Sequence, residues 1–367
     1  MALNQVGLER LNTATTDKIG ENKNKIINGG MQIFQRSASI ADVGNSNGYF
    51  AADRYRFSQS GAARFTISQS TDTPNGFGSS MKVDVTTANA SPSAGQYVFF
   101  QHRIEGQNVQ DFAKGSSDAK QYALSFHVKS PKTGVHCMEL EDVQNSRSCS
   151  GSYTVNSANT WEKKTIIFPA DTTGAITNDN ANRFQLYIWL MAGTTYSSGT
   201  LATTWASTVQ ANRAAGQVNV IDNTSNDFFI TGIQLEVGSV ATDFEHRSYS
   251  DEFQKCLRYY EQMSSNGVSV AYFATGYCES TTEVNYPILF KAYKRATPTV
   301  TSTAGSTFRN HHTGTSVDLS NIVFNLATPM SCRAQATASS AVLGDGNAAI
   351  LAAHSSTEAL IKIDAEL

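Results

Sequence analysis

The sequence predicts an all-β protein: an N-terminal jelly-roll β-sandwich, a short linking helix and a smaller C-terminal β domain. Three observations predict it. Apolar residues recur at every second position, or run unbroken, over strand lengths. Clusters of Ser, Thr, Asn, Asp and Gly punctuate those stretches as turns. The one clear helical spacing falls between two strand-rich regions.

Residues 1–25 are polar, with apolar side chains only at scattered positions such as Leu3, Val6, Leu8 and Leu11. No heptad is sustained, so the segment reads as an attachment arm that orders on a partner rather than as a coiled coil. Residues 26–248 form the sandwich. Its strands are read at "YVFFQHRI", "QYALSFHVKS", "VHCMEL", "WEKKTIIFPA", "RFQLYIWLMA" and "DFFITGIQLEVG", with turns such as "SPKTG" and "AGTTYSSGT" between them. Successive strands without intervening helices make an antiparallel sandwich. Residues 249–263 then place Phe253, Cys256, Leu257 and Tyr260 on one helical face. Ser250 is the expected N-cap, with Asp251 and Glu252 in the first turn, where the helix dipole favours negative charge. Residues 264–367 return to short strands, at "VSVAYFATGY", "TEVNYPILF", "PTVTST", "NIVFNLA" and "ALIKIDAEL".

Composition narrows the function classes. Among 367 residues only 16% are charged and the formal net charge is -3, which gives no basic footprint for nucleic acid. No apolar run reaches the length of a membrane span or a signal peptide, so a soluble protein without membrane contact is expected. Five cysteines without a CxxC pair read as free thiols of a chain made in a reducing cytoplasm.

"INGGMQIFQR", "YFAADRYRF", "YALSFHVKS" and "FFITGIQLEVGSVATDFEHRSYSDEFQKCLRYY", with "PILFKAYKRATPTVT" and the terminal "IDAEL", resemble bacteriophage virion proteins. The resemblance is chiefly to tail-fibre and tail-associated proteins, many of marine and cyanobacterial phages. It implies a carbohydrate-binding-module-like jelly roll, a homotrimer, and an arm held by other phage virion proteins. It further implies a place on the phage tail or particle surface and a host-surface glycan as target. The expected function is a non-catalytic tail fibre or receptor-binding appendage. Two alternatives stay open: a capsid decoration, head-fibre or tail-peripheral protein that binds other phage proteins, and a polysaccharide depolymerase.

The strand "RFQLYIWL" sends Phe184, Leu186, Ile188 and Leu190 to one face and Arg183, Gln185, Tyr187 and Trp189 to the other. The second set has what a sugar site needs, flat rings for a pyranose face and planar polar groups for its hydroxyls. His127 and Gln234 lie on the corresponding faces of neighbouring strands and complete the candidate glycan-binding set. The alternative is that another sheet, a loop or a subunit covers this face. Glu139, Glu141 and Asp142 read as a solvated strand end rather than a hydrolytic pair.

No catalytic residue is expected. GxxxxGK[ST], GxGxxG and HExxH motifs are absent, and no nucleophile elbow is expected. No cofactor or metal site is expected either; adjacent His311 and His312 point opposite ways on an extended chain. A structural calcium ion is the metal that the loop "TNDNAN" (177–182) could hold. The acid-rich stretch from Glu236 through Asp243, Glu245 and Asp251 to Glu252 reads as a domain seam with separate roles for each carboxylate.

Overall fold

The computed structural model describes residues 22–312, 314–354 and 358–367. Residues 1–21, most of the expected arm, lie outside the described residues. The described chain divides into two compact units, one running to Glu252 and including Leu367, the other Phe253–Glu366.

Alternating apolar residues build the first unit from β1 (Ser39–Val43), β2 (Asn47–Tyr49), β3 (Tyr55–Ser60), β4 (Arg64–Ser70), β5 (Ser80–Thr87), β6 (Tyr97–Glu105), β7 (Tyr122–Lys129), β8 (Gly134–Asp142), β9 (Arg147–Val155), β10 (Glu162–Phe168), β11 (Asn182–Ala192), β12 (Ala206–Ser207) and β13 (Asp227–Val237). One sheet runs β1-β4-β5-β13-β7-β10 and the other β12-β9-β8-β11-β6-β3-β2. The pairs are antiparallel, and the two sheets make the jelly-roll sandwich.

Its core takes one face of each strand. Tyr122, Leu124, Phe126 and Val128 of β7, with Phe184, Leu186, Ile188 and Leu190 of β11, are fully buried. Edge-on ring pairs such as Phe57 with Phe65 (5.3 Å) tie the layers together. Glycine permits close approach at several places, Gly151 and Gly232 among them. A Cβ on Gly151 would sit 2.2 Å from Ile166 Cγ2. Gly232 (φ +64°) lies at a register irregularity of β13, where a Cβ would meet the Phe77 ring at 2.6 Å.

Residues 22–25, assigned to the arm by sequence, are stitched to the first unit instead. Lys25 N donates to Leu235 O (2.8 Å) and Asn24 Nδ2 to Ile233 O (3.0 Å). A short α1 (Thr194–Ser197) lies in the long connection after β11, and α2 (Tyr249–Leu257) spans the division between the units.

The helix expected over 249–263 ends at Leu257, and β14 (Tyr260–Ser264) follows. Pairing with the last strand wins over helical spacing here, with Tyr260 opposite Asp364. The cap also differs from expectation: Ser248 rather than Ser250 accepts from Asp251 N (3.1 Å).

The second unit continues with β15 (Tyr272–Cys278), β16 (Glu283–Leu289), β17 (Thr299–Ser302), β18 (Phe308–His312), β19 (Thr315–Asn325), β20 (Ser331–Ala338), β21 (Ala348–Ala353) and β22 (Leu360–Asp364). Strands β15-β16-β20-β19-β18-β21 close into a barrel, and β14-β22-β17 form a separate sheet. Closure leaves the barrel no open edge for another chain to pair with. Alanines at 334, 336, 349 and 353 are buried with Tyr286 and Phe308, small beside large, as a narrow barrel requires. Below it, Lys294 and Glu261 form a fully buried ion pair (2.7 Å), and Lys294 also donates to Leu257 O (2.6 Å).

Candidate functional site

The outward face of the seven-stranded sheet is organised in rows across the strands. One row runs Tyr49, Arg56, Gln101, Tyr187, Glu139 and Ser150, from β2 through β3, β6, β11 and β8 to β9. The row beside it holds Arg103, Gln185, Glu141 and Ser148. Each of these residues alternates with a core residue, so the sandwich core itself fixes which way they point.

The connection from Gly193 to Ile221 straps the β11–β8–β9 half of this face. Ser150 N donates to Ala202 O (2.6 Å), Cys137 N to Gln217 Oε1 (2.6 Å), and Val220 N to Leu190 O (3.0 Å). Arg213 on the strap lies over the rings of Tyr187 (4.6 Å) and Trp189 (5.5 Å). Its Nε donates to Glu139 Oε1 (2.8 Å), while Trp189 Nε1 donates to Glu139 Oε2 (3.2 Å). Glu141 accepts from Gln185 Nε2 (2.7 Å) and Tyr187 Oη (2.6 Å). Burial pushes the Glu139 carboxyl up to about 7, against the opposite pull of Arg213. Glu139 is therefore not a solvated strand end, as the sequence suggested, but a fully enclosed acid.

The β6–β3–β2 half is uncovered by the strap. Arg56 and Arg103 flank Gln101: Arg56 Nη1 donates to Gln101 Oε1 (3.0 Å) and to Ser58 Oγ, and Arg103 Nη2 reaches the same Gln101 oxygen (3.4 Å). The main-chain oxygen of Leu367 accepts from Arg103 Nη1 and from Tyr49 Oη (3.1 Å). Half-buried Tyr97 and Tyr196 stand at the strap's edge, 5.6 Å apart, and Tyr97 stacks on Phe99 (4.8 Å). At a strand spacing of about 4.8 Å, Tyr49 and Tyr187 stand roughly 14 Å apart. Burial, then the neighbouring Arg103 charge, lowers the Arg56 pKa from its usual value.

The six residues expected to bind glycan do not converge. Trp189 is 0% exposed and Tyr187 5%, so the strap has taken the ring faces that the sequence offered to a sugar. Gln185 is buried in the same network. Arg183 sits at the strand end, where its guanidinium grips Asp179 (Nε–Oδ1 3.0 Å). His127 and Gln234 belong to β7 and β13 of the other sheet, so they share no face with β11. His127 packs on Phe77 (5.1 Å), and burial with Lys163 lowers its pKa. Gln234 is fully buried and donates to Glu236 Oε1 (2.9 Å).

Sequence reasoning missed Arg56, Arg103, Tyr97 and Tyr49. The signal was present: "YRFSQS" alternates so that Arg56 and Ser58 oppose Tyr55 and Phe57, and Tyr97 and Arg103 belong to the recognised strand "YVFFQHRI".

Other candidates resolve individually. The acids of the seam are linked rather than separate, against the expectation: Arg247 pairs with both Glu245 (3.1 Å) and Glu252 (3.2 Å), and Gln234 donates to Glu236 (2.9 Å) while accepting from Glu245 N (2.8 Å). Asp179, the one carboxylate of the loop 177–182, is engaged by Arg183, and among the described residues no group of three His, Cys, Asp or Glu could hold a metal. A Gly-x-Ser-x-Gly stretch does occur, at Gly44–Gly48, against the expectation of no elbow. It joins two strands, β1 and β2, rather than strand to helix. In the second unit, His311 and His312 border an open depression of ≈ 670 Å³ with Ser316 and Ile350. All five cysteines are buried thiols, none of them in a disulfide.

No family model matches the chain, and no curated protein sequence matches it. Solved structures are similar to it over the sandwich. The enzymatically active domain of tailspike protein 4 of bacteriophage CBA120 is 15% identical, with a TM-score of 0.32 over 59% of this chain and 22% of that one. A family 61 carbohydrate-binding module in complex with β-1,4-galactotriose is 9% identical (TM-score 0.28; 59% of this chain, 99% of that one). The family 11 module from Clostridium thermocellum, in complex with a β-1,3-1,4-mixed-linked tetrasaccharide, is 11% identical (TM-score 0.27; 57% and 99%). Likeness at this level carries no argument about function; the sandwich stands on the pairing of its own strands.

Proposed function

We propose that the first unit is a glycan-binding module, and that the whole chain is a non-catalytic phage tail fibre or receptor-binding appendage that contacts host-surface glycan. The observation that carries the binding reading is the unstrapped half of the outward sheet face. It sets half-buried tyrosine rings beside guanidinium and amide groups, the combination that fits a sugar's C–H face and hydroxyls. The virion setting rests on the sequence resemblance, as do the homotrimer and the attachment of the N-terminal arm to other virion proteins. Weak single-site contacts would then gain strength from several copies acting together.

One observation favours a depolymerase: Glu139, raised to about 7, lies two residues from Glu141 on the same strand face. Against it, Glu139 is fully enclosed and held by Arg213 and Trp189, which leaves its oxygens no substrate to reach.

The test is retention of the purified chain on immobilised bacterial surface polysaccharides, with reducing ends assayed in the same wells. Retention without new reducing ends is expected. New reducing ends would make it a depolymerase, and no retention on any polysaccharide would favour a decoration protein.

A further inference from the structure

We infer that the ligand of this face is an acidic glycan, and that Arg56 is the residue that recognises its carboxylate. The inference rests on the glycan-binding reading above and names the class of sugar. Arg56 is placed by register in the middle of the open half, with Tyr49 on one side and Gln101 on the other. Its Nη1 is spent on Ser58 and Gln101. Nε and Nη2 make no hydrogen bond to the described residues, and neither is enclosed. These two nitrogens form one edge of the guanidinium plane, the edge that grips a carboxylate through two parallel hydrogen bonds.

The charges around it are lopsided. Arg103 lies diagonally across from Arg56 on the same face, and burial first and then this second cation lower the Arg56 pKa. Of the side-chain carboxylates of this face, Glu105 ends β6 and accepts from Gln107 Nε2 (2.7 Å), while Glu139 and Glu141 are on β8, with two strands between them and β3. They are already occupied, Glu139 by Arg213 and Glu141 by Gln185 and Tyr187. No Asp or Glu among the described residues pairs with Arg56, and the main-chain oxygen of Leu367 is engaged by its neighbours Arg103 and Tyr49. A neutral sugar would leave that cation without an ion-pair partner, whereas a uronate carboxylate would supply one. Other arginines of this unit, such as Arg147 and Arg183, bind their own aspartates, so they offer no comparable edge.

The experiment uses the full chain on a panel of alginate, polygalacturonate and hyaluronan, each beside its carboxyl-reduced form, with dextran, galactan and mannan as neutral arms and a phosphomannan as the phosphate arm. Binding to at least one uronate polymer is expected, falling tenfold or more on carboxyl reduction and again in Arg56→Gln. Arg56→Lys keeps the charge without the two-pronged edge and is expected to recover only part of the loss. Circular dichroism of both variants confirms that each is folded. Binding confined to phosphomannan would overturn the carboxylate assignment. Equal binding to neutral polymers would overturn the acidic reading and leave glycan binding standing. No binding to any polymer would overturn both.

Discussion

Trp189 shows how one residue can be read correctly for its face and wrongly for its role. Alternation along β11 places it opposite the core, yet the strap encloses it with Arg213 over its ring. Trp189→Ala is therefore expected to cost about 3–5 kcal/mol of stability, as large-to-small changes at enclosed aromatics do. Urea unfolding checks this, and a variant of unchanged stability with lost binding would put the ring at a ligand instead. Glu139 carries a second consequence. Its folded pKa of about 7 stands above the ordinary 4.5, so the folded state holds more protons between those values. Its contribution is complete below the unfolded pKa and fades as pH rises through the folded one. The urea midpoint of the first unit should fall between about pH 4.5 and about pH 7, with a shallower slope in Glu139→Gln. Equal slopes in the two proteins would show that Glu139 titrates normally. At Gly232 the positive φ and the Phe77 ring act together, so Gly232→Ala should destabilise by at least about 1–2 kcal/mol in the same assay.

At the scale of elements, strands with clean alternation were legible. "YALSFHVK" and "RFQLYIWL" lie within β7 and β11 with the predicted residues buried. Strand β9, "RSCSGSYTV", was not, because a Ser- and Gly-rich strand has the composition of a loop and is recognised only through its partner β8. Residues 260–263 were expected in the helix, but pairing with β22, about a hundred residues away, overrode the spacing that reached Tyr260. The strap was invisible for a related reason. Nothing local in "AGTTYSSGT" says that the chain folds back over Trp189; that follows from bonds such as Cys137 N to Gln217, between distant positions. The candidate site failed by the same route, since two of its six residues were assigned to strands that lie in the opposite sheet.

For the whole molecule, the all-β class could be read from turn chemistry and periodicity. Barrel closure in the second unit could not, since it depends on β15 pairing with β21, and the alanine-rich β21 has little pattern of its own. That unit makes its own prediction. Lys294 and Glu261 are fully buried, so Lys294→Ala strands an acid without its partner. A loss of about 3–5 kcal/mol is expected in unfolding of the second unit, and a neutral outcome would mean that the buried pair contributes little to stability.

The central claim is that glycan binds the unstrapped face of the seven-stranded sheet. Its most direct test is retention on bacterial surface polysaccharide by the wild-type chain, Arg56→Ala, Tyr97→Ala and His127→Ala, each confirmed folded by circular dichroism. The account predicts that Arg56→Ala and Tyr97→Ala lose retention while His127→Ala, on the other sheet, keeps it. Loss in His127→Ala with retention in the other two would contradict it and move the site to the opposite face.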